Sequence, residues 1–179
     1  MARVPLRDID DLPEEYRYLF AENDLGVLNL FRVLGHNPPL LQSYMRWGTA
    51  LWREAGLDDR GVELVILAVA GRLGSGYEWH QHAEAGREAG LSPAELEAIR
   101  DGRFDALAGA DGTLAEYAVA CVEGTTGDDL VAAVIETFDT WTAVGVALLA
   151  GHYLLTARVV NTLGVEPEEP LVGWALDGL

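Results

Sequence analysis

Apolar residues recur at spacings of three and four along most of the chain. Leu40, Leu41, Tyr44, Trp47, Leu51 and Trp52 form one broad stripe, which predicts a helix over about 39–55 ended by Gly56. In the next segment Val62, Val65, Ile66, Val69, Ala70 and Leu73 make one face, while Leu64, Leu67 and Ala68 fill the others. A helix apolar on all sides is a buried one, so 59–73, capped by Asp58 or Asp59, is the expected centre of the fold. Gly74-Ser75-Gly76 turns the chain into a helix over 76–89, stopped by Gly90. Ser92-Pro93-Ala94-Glu95 has the order of an N-cap, a first-turn proline and a capping-box glutamate, opening a helix over 93–101. Further helices are expected at 13–21, 25–35, 113–123, 129–138 and from Asp139 or Thr140 to Leu163. No segment alternates with period two and no hairpin turn is present, so the fold class is all-α. Residues 1–24 are an N-terminal arm with a short helix, 25–166 the helical domain, and 167–179 a tail whose Trp174 and Leu176 suggest docking.

Charge narrows the partners. The chain has 12 basic and 29 acidic residues, a net charge of −17, and no lysine. Nucleic acid and anionic membrane both need a cationic face and are excluded as partners; a small molecule is the expected one. An anionic ligand would need specific arginines, and Arg32, Arg46, Arg53, Arg60, Arg72 and Arg87 lie near the central helices. The continuous apolar runs fall short of the roughly 20 residues that span a bilayer. The N-terminus lacks an apolar signal segment and the only cysteine is Cys121, so a cytoplasmic protein is expected.

Candidate chemistry sits between Asp59 and Ser92. Glu63 lies near the start of the apolar helix, where it either favours the helix dipole or carries a raised pKa against apolar neighbours. Glu78 and His82 are four apart and share a helix face. A carboxylate there fixes an imidazole tautomer and raises its pKa, as proton transfer requires; an ordinary exposed pair is the plain alternative. His80 and His82 are about 200° apart around a helix and cannot share a metal, and no further ligands are evident, so no metal is expected. Cys121, without a partner in an apolar helix, is expected to be an inert core thiol.

These residues resemble the carboxymuconolactone decarboxylase-like proteins, which share a fold with the alkylhydroperoxidase AhpD. The matching pieces are Glu63-Leu64-Val65-Ile66-Leu67, Tyr77-Glu78-Trp79 with His82, and Ala89-Gly90-Leu91-Ser92. Asn37-Pro38, Gly151-His152-Tyr153 and Asn161-Thr162-Leu163-Gly164 look like the family's flanks, so the resemblance covers roughly 28–166. In the peroxidase branch, Cys-x-x-Cys is preceded twelve residues earlier by a glutamate and followed four residues later by a histidine. Here those positions are Glu63 and His82, while the cysteine positions hold Ser75 and Glu78. Thiolate attack and disulfide formation need two sulfurs, so peroxidase chemistry is not expected.

The resemblance then implies the decarboxylase-like branch: a cofactor-free lyase that removes CO2 from a small lactone carboxylate, or transfers a proton on such a substrate. His82 would be the proton donor, with Glu63 or Glu78 as its carboxylate partner. Ser75, Tyr77, Trp79 and Trp47 would contact substrate. Relatives also imply a homo-oligomer, a trimer or hexamer. The alternative is a non-catalytic, oligomeric small-molecule binder on the same scaffold.

Overall fold

The computed structural model describes residues 2–21 and 28–168. Its helices, in chain order, are α1 (Tyr18–Ala21), α2 (Asn29–Leu34), α3 (Pro38–Glu54), α4 (Asp59–Leu73), α5 (Gly76–Glu88), α6 (Pro93–Arg100), α7 (Ala110–Glu123), α8 (Asp128–Thr137) and α9 (Thr140–Leu163). No strand occurs among the described residues. The expected break at Asn23-Asp24, the start of the 25–35 helix, and Trp174 and Leu176 all lie outside them. The expected helix over 13–21 is a 3₁₀ turn, Glu14–Tyr16, followed by the four residues of α1. The helix expected from Thr113 begins earlier, at Ala110.

α4 is the axis of the fold. The Asp58 carboxylate accepts the Gly61 N–H at 2.8 Å, satisfying one of the helix's orphan donors. Every residue from Gly61 to Ala70 is buried, as a stretch apolar on all sides must be. α5, α6, α7 and α9 surround it. Gly74 ends it in the left-handed conformation, φ 61°, and α5 starts two residues later, running back along α4.

The α4–α5 contact is unusually close at one point. A Cβ on Gly86 would lie 2.9 Å from Leu67 Cδ1 and 3.1 Å from Leu91 Cδ1. Glycine therefore lets α5 settle onto α4 one turn beyond His82, beside Glu63, whose Cβ is 3.7 Å away.

α9 has 24 residues, and its most apolar stretch has a mean hydropathy of 1.6, enough by length and composition to cross a membrane. Counting uninterrupted apolar runs understates it, because Thr142, Gly145 and His152 interrupt an otherwise apolar helix. Its inner face, including Ala143, Val146, Leu149, Ala150, Tyr153 and Val160, is packed into the core. Its other face leaves Trp141, Val144, Leu148 and Leu155 exposed.

Candidate functional site

A cleft of about 1060 Å³ opens between α2, α3, α5 and α9. From α5 it takes Tyr77, Glu78, Gln81, His82 and Ala85, a stripe of spacing three and four. From α4 it takes Glu63, from α3 Tyr44, Arg46, Trp52 and Arg53, and from α9 His152 and Tyr153.

His82 stands between two carboxylates. Its Nδ1 is 3.0 Å from Glu63 Oε2, a hydrogen bond, and its Nε2 is 3.7 Å from Glu78 Oε2. The side chains of Glu63 and Glu78 are only 3% and 4% exposed, and that of His82 13%. Antiparallel return of α5 brings His82 back to Glu63, so both candidate partners meet the imidazole on opposite edges and only Glu63 hydrogen-bonds it. An ionised carboxylate buried among the α4 side chains would be costly without a partner, and His82 supplies one.

Burial alone would lower the imidazole's proton affinity. The hydrogen bond and charge of Glu63, together with the charge of Glu78, outweigh it, and the His82 pKa is raised. Burial also pushes Glu78 up to about 7, opposed by the nearby His82 charge and assisted by that of Glu168. Glu78 Oε1 is buried with no hydrogen-bond partner among the described residues. A carboxyl with a pKa of about 7 and an imidazole of raised proton affinity thus stand around one point, an arrangement suited to general acid/base work.

Aromatic side chains enclose this group. The Trp52 ring centroid is 5.9 Å from that of His82, and the Tyr153 ring meets His82 edge-on at 5.2 Å. Trp52 Nε1 donates to the Tyr153 hydroxyl at 3.0 Å. Burial raises the Tyr153 pKa far above its ordinary value, so the phenol keeps its hydrogen. That O–H has no acceptor among the described residues, which leaves a neutral donor facing the cleft. On the other side Tyr44 bonds Thr156 at 2.6 Å and stacks, tilted, 4.8 Å from His152. Burial lowers His152 to about 4, so it is a neutral imidazole at physiological pH.

Three residues expected at the substrate lie elsewhere. Trp79 is fully buried, against Gly71 of α4, because it belongs to the α5 stripe that includes Ala83 and Gly86 and faces the core. Ser75 is also fully buried, its Oγ unpartnered, beneath the turn into α5. Trp47 is 46% exposed and lines a separate hollow with Leu148 and Leu155. Trp52, Tyr44 and Tyr153 build the cleft walls instead. Trp52 was legible only as part of the α3 stripe, and Tyr153 only as a flank of the resemblance. Tyr77 does line the cleft, with its hydroxyl accepting the Leu30 N–H at 3.1 Å. His80 is buried away from the cleft. Among the described residues no group of three or more His, Cys, Asp or Glu side chains is arranged to hold a metal.

The fold is that of the AhpD-like helical proteins. An AhpD-core, peroxidase-related protein from Ralstonia eutropha superposes with a TM-score of 0.83 at 20% identity, covering 95% of this chain and 94% of that one. A peroxidase-related protein from a Silicibacter species gives 0.78 at 18% identity, with 95% and 93% covered. A debrominase in complex with 2,3,4-tribromopyrrole gives 0.78 at 13% identity, with 94% and 92% covered. No curated protein matches in sequence. Residues 38–123 match the carboxymuconolactone decarboxylase family. That segment makes the chain similar to the carboxymuconolactone decarboxylase-like proteins, and with Cys121 as its single cysteine it has no Cys-x-x-Cys pair.

Proposed function

We propose that this chain is a cofactor-independent acid/base enzyme that decarboxylates, or moves a proton on, a small lactone or carboxylate. The observation that carries this reading is one imidazole held between two buried carboxylates on the wall of an aromatic cleft. In the decarboxylation, the bond from carbon to the carboxylate breaks and CO2 leaves. The electron pair passes into the lactone carbonyl, and the resulting oxyanion is met by the Tyr153 O–H. His82, oriented by Glu63 through Nδ1, delivers the Nε2 proton to carbon. Glu78 replaces that proton and recovers its own from water. With a pKa of about 7, Glu78 is poised for both halves of that exchange.

The debrominase relative is complexed with a small halogenated pyrrole. A planar ring of that size suits walls made of Trp52, Tyr44 and Tyr153. Two-thiol chemistry has no second sulfur here. The test is CO2 release from a panel of lactone carboxylates. His82→Ala should lower the rate by about 10²–10⁴-fold while the fold persists, and His80→Ala should change little. Full turnover in His82→Ala would remove the assignment; ligand binding without turnover in the unsubstituted protein would favour a non-catalytic binder.

Self-association is part of the same reading. Leu40 and Trp47 on α3 and Trp141, Val144, Leu148 and Leu155 on α9 are exposed large apolar side chains, a surface suited to further copies of the chain in a trimer or hexamer. Light scattering should give a multiple of the 19.4 kDa chain mass, and a monomer at micromolar concentration would refute it.

A further inference from the structure

Beyond α9 the chain turns at Gly164 and returns toward α2 and the start of α5. Val165 is buried with Leu30, Val33, Tyr77 and Val160. Asn29 Nδ2 donates to the Glu166 carbonyl at 3.0 Å. So tethered, the Glu168 carboxylate meets three donors. The Asn29 N–H reaches Oε1 at 2.5 Å, the Tyr77 hydroxyl reaches the same oxygen at 3.0 Å, and Gln81 Nε2 donates to Oε2. The Tyr77 oxygen already accepts the Leu30 N–H, which aims its hydrogen at the carboxylate.

Two observations distinguish this cradle from a simple structural tie. All three donors are neutral, and Glu168 forms no ion pair among the described residues. Tyr77 and Gln81 also line the cleft, each one residue ahead of Glu78 and His82 on α5. The Glu168 charge acts unfavourably on Glu78, so the tail's carboxylate is held in the field of another acid. A carboxylate bound by neutral donors beside a like charge is one that a second carboxylate, with apolar contacts of its own, can replace.

We propose that the Asn29 N–H, Tyr77 and Gln81 form a carboxylate subsite of the cleft, filled by the chain's own Glu168 until the carboxylate of a small ligand takes its place. The proposal rests on the cleft being the ligand site, as in the reading above, and needs no catalysis by His82.

Calorimetric titration of the full chain with benzoate, and with benzamide as the neutral analogue, tests it. Glu168→Ala empties the subsite without touching its donors. Benzoate affinity should then rise at least about tenfold over the unsubstituted chain, the scale of one hydrogen bond to a charged group. Benzamide should gain little. Adding Tyr77→Phe removes one donor and should take back most of the benzoate gain. The gain should survive His82→Ala, so a failed subsite and failed acid/base chemistry read out separately. An unchanged benzoate affinity in Glu168→Ala overturns the proposal. So does a gain that survives Tyr77→Phe, which would put the carboxylate elsewhere in the cleft, against Arg46 and Arg53.

Discussion

Glu78→Gln is expected to stabilise this protein at alkaline pH while removing part of its chemistry. The Glu78 carboxyl is 4% exposed, and burial raises its pKa from 4.5 to about 7. A group whose folded pKa is raised contributes its full stability below the unfolded value, and loses it as pH rises through the folded value. For Glu78 that window runs from 4.5 to about 7. Linkage over that interval gives a cost of ionisable Glu78 below about 1 kcal/mol at pH 5, rising to about 3 kcal/mol at pH 8. Glutamine has nearly the same shape and never ionises, so it escapes this cost, less the cost of burying its amide hydrogens. Denaturant unfolding of both proteins at the two pH values measures the difference directly. The variant should be more stable by up to about 3 kcal/mol at pH 8 and nearly equal at pH 5. A variant no more stable at pH 8 than at pH 5, relative to the unsubstituted chain, would refute the raised pKa and with it the role of Glu78 as a proton reservoir.

Other outcomes follow from the same geometry. Gly86→Ala puts a methyl group against Leu67 and Leu91, so it should cost about 1–3 kcal/mol in thermal unfolding. It should also loosen the Glu63–His82 bond, read as a downward shift of the His82 imidazole titration in NMR. Tyr153→Phe removes the free donor beside His82 and should lower turnover by about 10²–10³-fold while leaving ligand binding less affected. Peroxide consumption with a disulfide-reductase partner should be absent; turnover that disappears in Cys121→Ser would show that this thiol is reactive after all.

The architecture was legible because its signals are local. Asp58, Gly74, Ser92, Asp139 and Gly164 occupy the cap positions that their residue types favour. The stretch apolar on all sides became the central helix. The start of α7 and the first helices were less legible, because Gly109 and the short Tyr18–Ala21 segment carry no strong periodic signal. In the site, the pairing of His82 with Glu78 follows from helical spacing, whereas its bond to Glu63 depends on how far α5 descends along α4. Gly86 sets that distance, and no sequence motif marks it. Trp79 shows the opposite failure. Its closeness to Glu78 in the chain suggests a shared wall, yet one residue of helix rotates it by 100° into the core. Trp52 and Tyr153 come from helices far apart in sequence and meet only in the tertiary fold.

The two positions that hold sulfur in the peroxidase branch carry other groups here, and the proposed acid/base reading turns on them. Ser75 and Glu78 are three residues apart, a helical turn, which is the reach a disulfide would need. Ser75 now sits sealed in the core, with its hydroxyl unpartnered and out of the cleft. Glu78 faces His82 with a pKa of about 7. A thiol pair at these positions stores two electrons; a buried acid beside a buried imidazole stores a proton. The Glu63–His82 bond serves either use, because both thiolate formation and carbon protonation need an oriented imidazole. On the proposed reading, a site without the two sulfurs keeps its oriented imidazole, and the carboxylate at the second position adds a group with a pKa of about 7 beside it.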